Sequence, residues 1–226
     1  MDGLSATENG SSGYGRRRLI FNATAAVFAT SWPFWGAAAQ GSAPRLMLLG
    51  DSLTAGYGLP ANLAFPAKLG TALAAAGLAV EIVNAGVSGD TSAGGLARLD
   101  WAMGPKAPEF AFVALGANDG LRGLDVGAME RNLDAIVAKL VARGAKVMLA
   151  GMKAPPNMGS EYAAAFAAVY PRVAQRHAAA LYPFFLEGVA AVPDLNQADG
   201  IHPNAAGVEK IVARLVPALR PFLAKV

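Results

Sequence analysis

The stretch LLGDSLTAGYG, residues 48–58, places a serine where a short apolar run gives way to a glycine-rich turn. The apolar residues ahead of it are typical of a buried strand, and Asp, Ser and Gly are typical of a turn. Two interpretations are open at this point. Either the turn only connects two elements, or the strand presents Ser52 as a nucleophile at its end. The rest of the sequence distinguishes between them.

From Arg45 onward, short apolar runs alternate with longer segments that have helical spacing. The runs lack polar alternation, as expected for strands of a parallel sheet that is covered on both faces. The predicted strands are Leu46–Leu49, Val80–Val83, Phe110–Leu115, Lys146–Ala150 and Leu181–Phe185. The predicted helices are Leu63–Ala76, Ser92–Met103, Val126–Ala142, Glu161–Ala180 and Asn204–Phe222, with Pro217 kinking or ending the last. This alternation predicts a three-layer α/β/α sandwich with right-handed crossovers.

Length and composition restrict the class of protein. A chain of 226 residues suits one domain with a large core, and 54% apolar against 15% charged residues excludes disorder. The net charge of +3 and the single basic run Arg16–Arg18 argue against a nucleic-acid partner. There is no cysteine, which excludes disulfides and thiolate chemistry, and the two histidines, His177 and His202, are too few for a histidine-rich metal site.

Residues 1–39 are predicted to be an export signal peptide rather than part of the fold. The basic run Arg16–Arg18 precedes an apolar stretch, Leu19–Ala39, that ends in three alanines, with Gln40 as the first mature residue. The order Arg-Arg-Arg-Leu-Ile also fits a twin-arginine signal. The alternative is an uncleaved membrane anchor, because the stretch is just long enough to span a bilayer, although Pro33 disfavours it. We expect an exported bacterial protein, periplasmic or secreted.

Three segments follow the ends of predicted strands, where open α/β sheets bind their ligands. Ser52 follows the first strand, residues 84–90 follow the second, and residues 116–120 follow the third. Their convergence at one edge favours a functional Ser52.

A serine nucleophile needs a base, and the base needs an orienting acid. In DGIHPN, residues 199–204, one turn brings the carboxylate of Asp199 against the imidazole of His202, whose other nitrogen then faces Ser52. Taken alone, His202 would be a loop histidine with a satisfied hydrogen bond. Asp51 is a rival acid, but its place beside the serine suits turn geometry better. His177 is predicted to be a surface residue of a helix.

Acyl transfer also needs hydrogen-bond donors for the oxyanion of the tetrahedral intermediate. The candidates are the backbone N–H groups of Ser52 and Gly89 and the carboxamide of Asn118. Taken singly, Gly89 and Asn118 are ordinary turn residues. Together they follow different strands and form a possible oxyanion hole.

Four motifs resemble the sequence blocks of the SGNH hydrolases in the GDSL esterase/lipase family. They are Gly50-Asp51-Ser52-Leu53, Gly89, Gly116-Ala117-Asn118-Asp119 and Asp199-Gly200-Ile201-His202. The phrases NAGVSGDTSAGGLARLDW and LGANDGLRG are similar to the bacterial thioesterase I/lysophospholipase/arylesterase branch. The resemblance covers residues 44–226. It implies a flavodoxin-like, five-stranded parallel sheet, a triad of Ser52, Asp199 and His202, and an oxyanion hole of Ser52, Gly89 and Asn118. It also implies hydrolysis of esters or thioesters without a cofactor.

The expected substrates are short- to medium-chain acyl esters, aryl esters, lysophospholipids and acyl thioesters, a lipid substrate implying transient contact with a membrane surface. Tyr57, Met152, Pro155 and Met158 are predicted to bind the substrate, whereas Tyr162 and Phe166 fit either a groove or the core. Two alternative functions are open. One is a carbohydrate O-acetyl esterase acting on envelope polysaccharide, and the other is an inactive module that binds a lipid or a glycan.

Overall fold

A computed structural model of the protein describes residues 43–224, so the predicted export signal at residues 1–39 lies outside the described residues. The strands are β1 (Arg45–Gly50), β2 (Glu81–Gly86), β3 (Phe110–Ala114), β4 (Lys146–Ala150) and β5 (Ala180–Tyr182). The helices are α1 (Ser52–Ala55), α2 (Phe65–Ala75), α3 (Ser92–Met103), α4 (Ala117–Leu121), α5 (Val126–Ala142), α6 (Ser160–Arg176) and α7 (Ala205–Leu223). Over residues 43–224, none of the helices is both long enough and apolar enough to cross a membrane.

The five strands form one parallel sheet in the order β2-β1-β3-β4-β5, which is the flavodoxin-like order. Helices α2 and α7 pack against each other, and α3, α5 and α6 form a second group. The strand side chains of β1 and β3 are almost all buried, which explains the lack of polar alternation in their sequences. The predicted α/β sandwich is therefore confirmed.

The strand order decides where a ligand can bind. The connections from β1 and β3 leave the sheet in different directions, and a crevice opens between the carboxyl ends of these neighbouring strands. The short helices α1 and α4 begin at this crevice. Gly86 lets α1 pack tightly there, because a Cβ atom at this residue would lie 2.4 Å from the backbone nitrogen of Ala55.

Two predicted boundaries at the end of the sheet are wrong. Helix α6 stops at Arg176 rather than Ala180, because Ala178 adopts a left-handed backbone with φ of 50°. Strand β5 pairs with β4 only over Ala180–Tyr182, and Phe185, expected in the strand, instead joins the core beyond it.

The predicted end of the last helix and the predicted place of His177 also need correction. Helix α7 does not end at Pro217 but continues through it to Leu223, because its buried face, with Leu215 and Leu219 inaccessible to solvent, outweighs the missing backbone hydrogen bond. His177 is half-buried rather than a surface residue. Its Nε2 atom lies 2.8 Å from a carboxylate oxygen of Asp134 on α5, and this contact connects α5 with the end of α6.

Candidate active site

Ser52 is the first residue of α1 and follows the inner strand β1 after a single residue. The preceding residue, Asp51, caps this helix, because its Oδ1 atom accepts a hydrogen bond from the backbone N–H of Leu53 at 3.0 Å. The hydroxyl of Thr54 donates to the carbonyl of Asp51 at 3.0 Å. Local capping thus fixes the backbone that carries the serine, and Asp51 has the turn role that its sequence position suggests.

His202 and Asp199 lie in the loop before α7 and form a compact turn. One oxygen of Asp199 accepts the backbone N–H groups of Ile201 at 2.9 Å and of His202 at 3.0 Å. The other oxygen lies 2.7 Å from Nδ1 of His202. The Nε2 atom of His202 lies 2.9 Å from Oγ of Ser52. Carboxylate, imidazole and hydroxyl therefore form one continuous chain of hydrogen bonds.

Hydrogen bonds stabilise the ionised form of Asp199. The backbone N–H of His202, then the imidazole of His202, and then the backbone N–H of Ile201 lower the pKa of Asp199 to about 2. The carboxylate is thus ionised across the pH range in which an imidazole can act as a base. It can orient the ring and stabilise the imidazolium.

Of the three candidate oxyanion donors, Ser52 and Asn118 line one cavity, and Asn118 contacts the residue that follows Gly89. The N–H of Ser52 points out of the first turn of α1, and Gly89 has an exposed backbone with φ of 84°. Among the described residues, neither N–H is taken by a backbone carbonyl. The Nδ2 atom of Asn118 donates to the carbonyl of Asp90 at 2.9 Å and lies 3.4 Å from Oδ2 of Asp51. The first contact holds the carboxamide against the loop that carries Gly89, and the second is long enough for a substrate oxygen to compete with it.

One ion pair close to these donors was not identified from the sequence. Arg98 on α3 pairs through Nε with the carboxylate of Asp90 at 2.5 Å, and through Nη2 it donates to the carbonyl of Gly50 at 3.0 Å. Arg98 therefore links the end of β1 to the loop that carries Gly89. Both charged side chains are 17% exposed, so the pair is mostly shielded from water. In the sequence, only the spacing of Asp90 and Arg98 indicates such a pair. Spacing does not show that Arg98 also reaches the carbonyl of Gly50.

The carboxyl group of Asp51 is completely buried next to Ser52. Desolvation raises its pKa to about 6, although the hydrogen bond from Leu53 and the proximity of His202 act in the opposite direction. Sequence reasoning could not show this shift, because it depends on how α1, α4 and the sheet enclose the side chain.

A cavity of about 720 Å³ opens beside Ser52 and His202. Met152 and Pro155, both predicted to bind substrate, line it. The rest of its wall is largely apolar and includes Leu53, Leu121, Phe184, Leu186, Ala190 and Ile201. Among the described residues that line the cavity, Lys153 is the one lysine or arginine, and its ammonium lies over the ring of Phe184, 4.3 Å from the centroid. The cavity suits an apolar group attached to a reacting carbonyl near Ser52.

The structure places the other predicted substrate residues elsewhere. Tyr57 does not line this cavity, but its ring lies against the imidazole of His202, which does. Met158 contributes to a separate depression with Tyr162, since the turn after Pro155 directs it toward Gly123. Phe166 is inaccessible to solvent and belongs to the core, as one of the two interpretations of that residue expected.

A flavodoxin-like sheet that holds serine, histidine and aspartate side chains in hydrogen-bond contact has the architecture of a serine acyl hydrolase. Residues 48–210 match the GDSL-like Lipase/Acylhydrolase family, and the chain belongs to this family. The resemblance seen in the four sequence motifs is thereby confirmed.

Several known proteins are similar to this chain over most of their length. Esterase TesA of Pseudomonas aeruginosa is 44% identical over 184 residues, which cover 81% of this chain and 92% of that protein. Thioesterase 1/protease 1/lysophospholipase L1 of Escherichia coli K12 is 39% identical over 182 residues, covering 80% and 86%. The crystal structure of the psychrotrophic esterase EstA from a Pseudoalteromonas species, inhibited by monoethylphosphonate, has a TM-score of 0.76 at 34% identity and covers 80% of this chain and 100% of that one.

Proposed function

We propose that the protein is a serine esterase that cleaves carboxylic esters through an acyl-enzyme. His202 takes the proton of Ser52 as the serine oxygen attacks the acyl carbon. The N–H groups of Ser52, Gly89 and Asn118 bind the oxyanion, and Asp199 stabilises the imidazolium. His202 then protonates the leaving alcohol or thiol. In the second half of the reaction it activates water, which hydrolyses the acyl-enzyme and regenerates Ser52.

The observation that carries this proposal is the contact of 2.9 Å between Ser52 Oγ and His202 Nε2, with Asp199 at 2.7 Å on the other side of the ring. A turn serine and a loop histidine with unrelated roles would have no reason to meet at this geometry. The relatives named esterase and thioesterase/lysophospholipase support the same chemistry. Inhibition of the related EstA by a phosphonate also fits, because phosphonates react with activated serines.

The substrates we propose are short- to medium-chain acyl or aryl esters, lysophospholipids and acyl thioesters. The apolar wall of the cavity favours an acyl chain or an aromatic ring over a sugar, since few polar groups are available to bind hydroxyls. Within residues 43–224, the cavity wall offers a nucleotide-bearing thioester one lysine, Lys153, and no arginine.

The test compares the chain without residues 1–39 with its Ser52→Ala variant on p-nitrophenyl esters from acetate to palmitate. A fluorophosphonate probe is run in parallel, and Ser160→Ala serves as the matched control because Ser160 is exposed at the start of α6. Wild type and control should turn over ester and be labelled, and Ser52→Ala should do neither. Acetylated sugars are assayed beside these esters, and a preference for them would favour the carbohydrate esterase. Folded wild type without turnover or labelling would favour the binding module.

We also propose that residues 1–39 direct export and that residues 44–226 form the hydrolase domain. The order of basic run, apolar stretch and terminal alanines supports this assignment. Expression of the full chain in a bacterium, followed by fractionation and N-terminal sequencing, tests it. We expect a mature chain that begins at Gln40 outside the cytoplasm. Replacing Arg16 and Arg17 by lysine should abolish export if the twin-arginine route is used, and an uncleaved chain in the membrane fraction would show an anchor instead.

A further inference from the structure

The ring of Tyr57 covers one face of the His202 imidazole. The two ring centroids are 4.6 Å apart, and the ring planes meet at 39°. Because Asp199 and Ser52 occupy the two nitrogens of His202, the face of the imidazole is what remains for a further neighbour. Tyr57 is itself 53% exposed, so core packing does not account for its position.

A side-chain amide fastens Tyr57 to the loop that carries His202. The Nε2 atom of Gln197 donates to the carbonyl of Tyr57 at 2.9 Å and to the carbonyl of Pro203 at 3.0 Å. The backbone N–H of Gln197 donates to the carbonyl of His202 at 2.7 Å. Gln197 thus joins the turn after the nucleophile to the backbone of His202 and of the residue that follows it.

The close approach of these two loops depends on Gly58. This residue has φ of 73°, and a Cβ atom here would lie 2.1 Å from the side-chain oxygen of Gln197. Only glycine leaves room for the amide at this distance and adopts this backbone without strain. The glycine-rich end of the opening motif therefore serves the contact between Tyr57 and His202.

We propose that Tyr57 is a positioning residue for His202, which keeps the imidazole directed at Ser52 and stabilises its protonated form, and that Gln197 holds Tyr57 in place. This inference rests on the proposed function, in which His202 accepts the serine proton. An aromatic face attracts a cation within about 6 Å. The carboxylates of Asp199 and Asp51 also face the imidazolium and act in the same direction.

The first test compares Tyr57→Leu with Tyr57→Phe on p-nitrophenyl butyrate over a range of pH. The phenylalanine keeps the ring and should retain kcat within about twofold. The leucine keeps apolar bulk but loses the ring, so kcat should fall about two- to fivefold with KM unchanged. The acid limb of kcat/KM should move to lower pH by about half a pH unit, because the imidazolium loses a stabilising neighbour.

The second test asks whether Gln197 acts through Tyr57. Gln197→Met removes the donor while it keeps the length of the side chain, and it should lower kcat and move the acid limb in the same direction. In the Tyr57→Leu background the same change should cost less, since the ring that Gln197 holds is already absent. Full additivity of the two changes would contradict this part of the proposal.

A role of Tyr57 in folding alone would lower kcat in proportion to the folded fraction without moving the acid limb. An unmoved limb in Tyr57→Leu, a limb moved to higher pH, or equal losses in the leucine and phenylalanine variants would therefore overturn the inference. Wild type that fails to turn over ester, or Ser52→Ala that retains turnover, would overturn the proposed function and this inference with it. If wild type is active and Ser52→Ala is not, failure of the predictions for the Tyr57 and Gln197 variants overturns this inference alone.

Discussion

The Oγ atom of Ser52 and the Nε2 atom of His202 lie 2.9 Å apart, although 150 positions separate them in the chain. Ser52 is fixed by the end of the inner strand β1 and the cap of α1, whereas His202 is fixed by the turn before α7. Their alignment therefore depends on the sheet and on the contacts between two loops. Variants of the residues around Ser52 and His202 test how each neighbour contributes to activity and stability.

Asp199→Asn should lower kcat about 10³- to 10⁴-fold with the fold intact. The asparagine presents an N–H group where Nδ1 of His202 now donates, so the imidazole would carry its proton on Nε2 and could not accept one from Ser52. Steady-state kinetics on p-nitrophenyl butyrate measure the change. Asp194→Asn is the control, since Asp194 is an exposed carboxylate of the same region. Equal activity of the two variants would exclude Asp199 from the reaction.

Asn118→Ala should lower kcat about 10²- to 10³-fold, because one oxyanion donor is lost, and should leave KM nearly unchanged. The exposed Asn157, in the turn after Pro155, provides the matched control Asn157→Ala. Circular dichroism checks that the loss of the hydrogen bond to the Asp90 carbonyl has not unfolded the loop. A rise in KM with unchanged kcat would assign Asn118 to ground-state binding instead.

Much of this architecture could be predicted from the sequence, because long apolar runs and helical spacing are local signals. The limits appear where the signal is short or non-local. Helix α1 has four residues and α4 has five, too few for periodicity to show. The end of α6 depends on one left-handed residue, Ala178, and no glycine marks it.

The candidate site divides in the same way. Its motifs identify Ser52, Asp199 and His202, since the residue types that chemistry requires stand in recognisable phrases. The contacts that support these residues could not be predicted from the sequence. Gln197 reaches Tyr57 across 140 positions, and Arg98 reaches Gly50 across 48. Such pairs are decided by tertiary packing, and no local pattern distinguishes them from surface polar residues.

Asp51→Asn should stabilise the fold above pH 6. The pKa of Asp51 is raised by burial from 3.8 to about 6, so between these values the folded chain keeps a proton that the unfolded chain has lost. The free energy of unfolding therefore falls as pH rises through this window, by about 2–3 kcal/mol in total. Asparagine does not titrate, so the free energy of unfolding of the variant does not fall in this window. Its difference from that of wild type should grow from pH 4 to pH 6 and then remain constant.

Urea unfolding at several pH values measures this difference. The lowered pKa of Asp199 acts in the opposite direction, between about 2 and 3.8, and is common to both proteins. Asp100→Asn, at an exposed carboxylate on α3, is the control and should leave the curve unchanged. A constant difference between wild type and Asp51→Asn at every pH would contradict the burial argument.

Ala190→Phe should shorten the preferred acyl chain. Ala190 is an exposed part of the wall of the cavity beside Ser52, so a phenyl ring can enter the cavity without disturbing the core. We expect kcat/KM for p-nitrophenyl decanoate to fall about tenfold, because a long chain loses apolar contacts, and kcat/KM for the acetate to change less than about twofold. Ala164→Phe, on the exposed side of α6, should leave both unchanged. Equal losses on acetate and decanoate would mean that the ring disturbs the triad, and no loss on either would place the acyl chain outside this cavity.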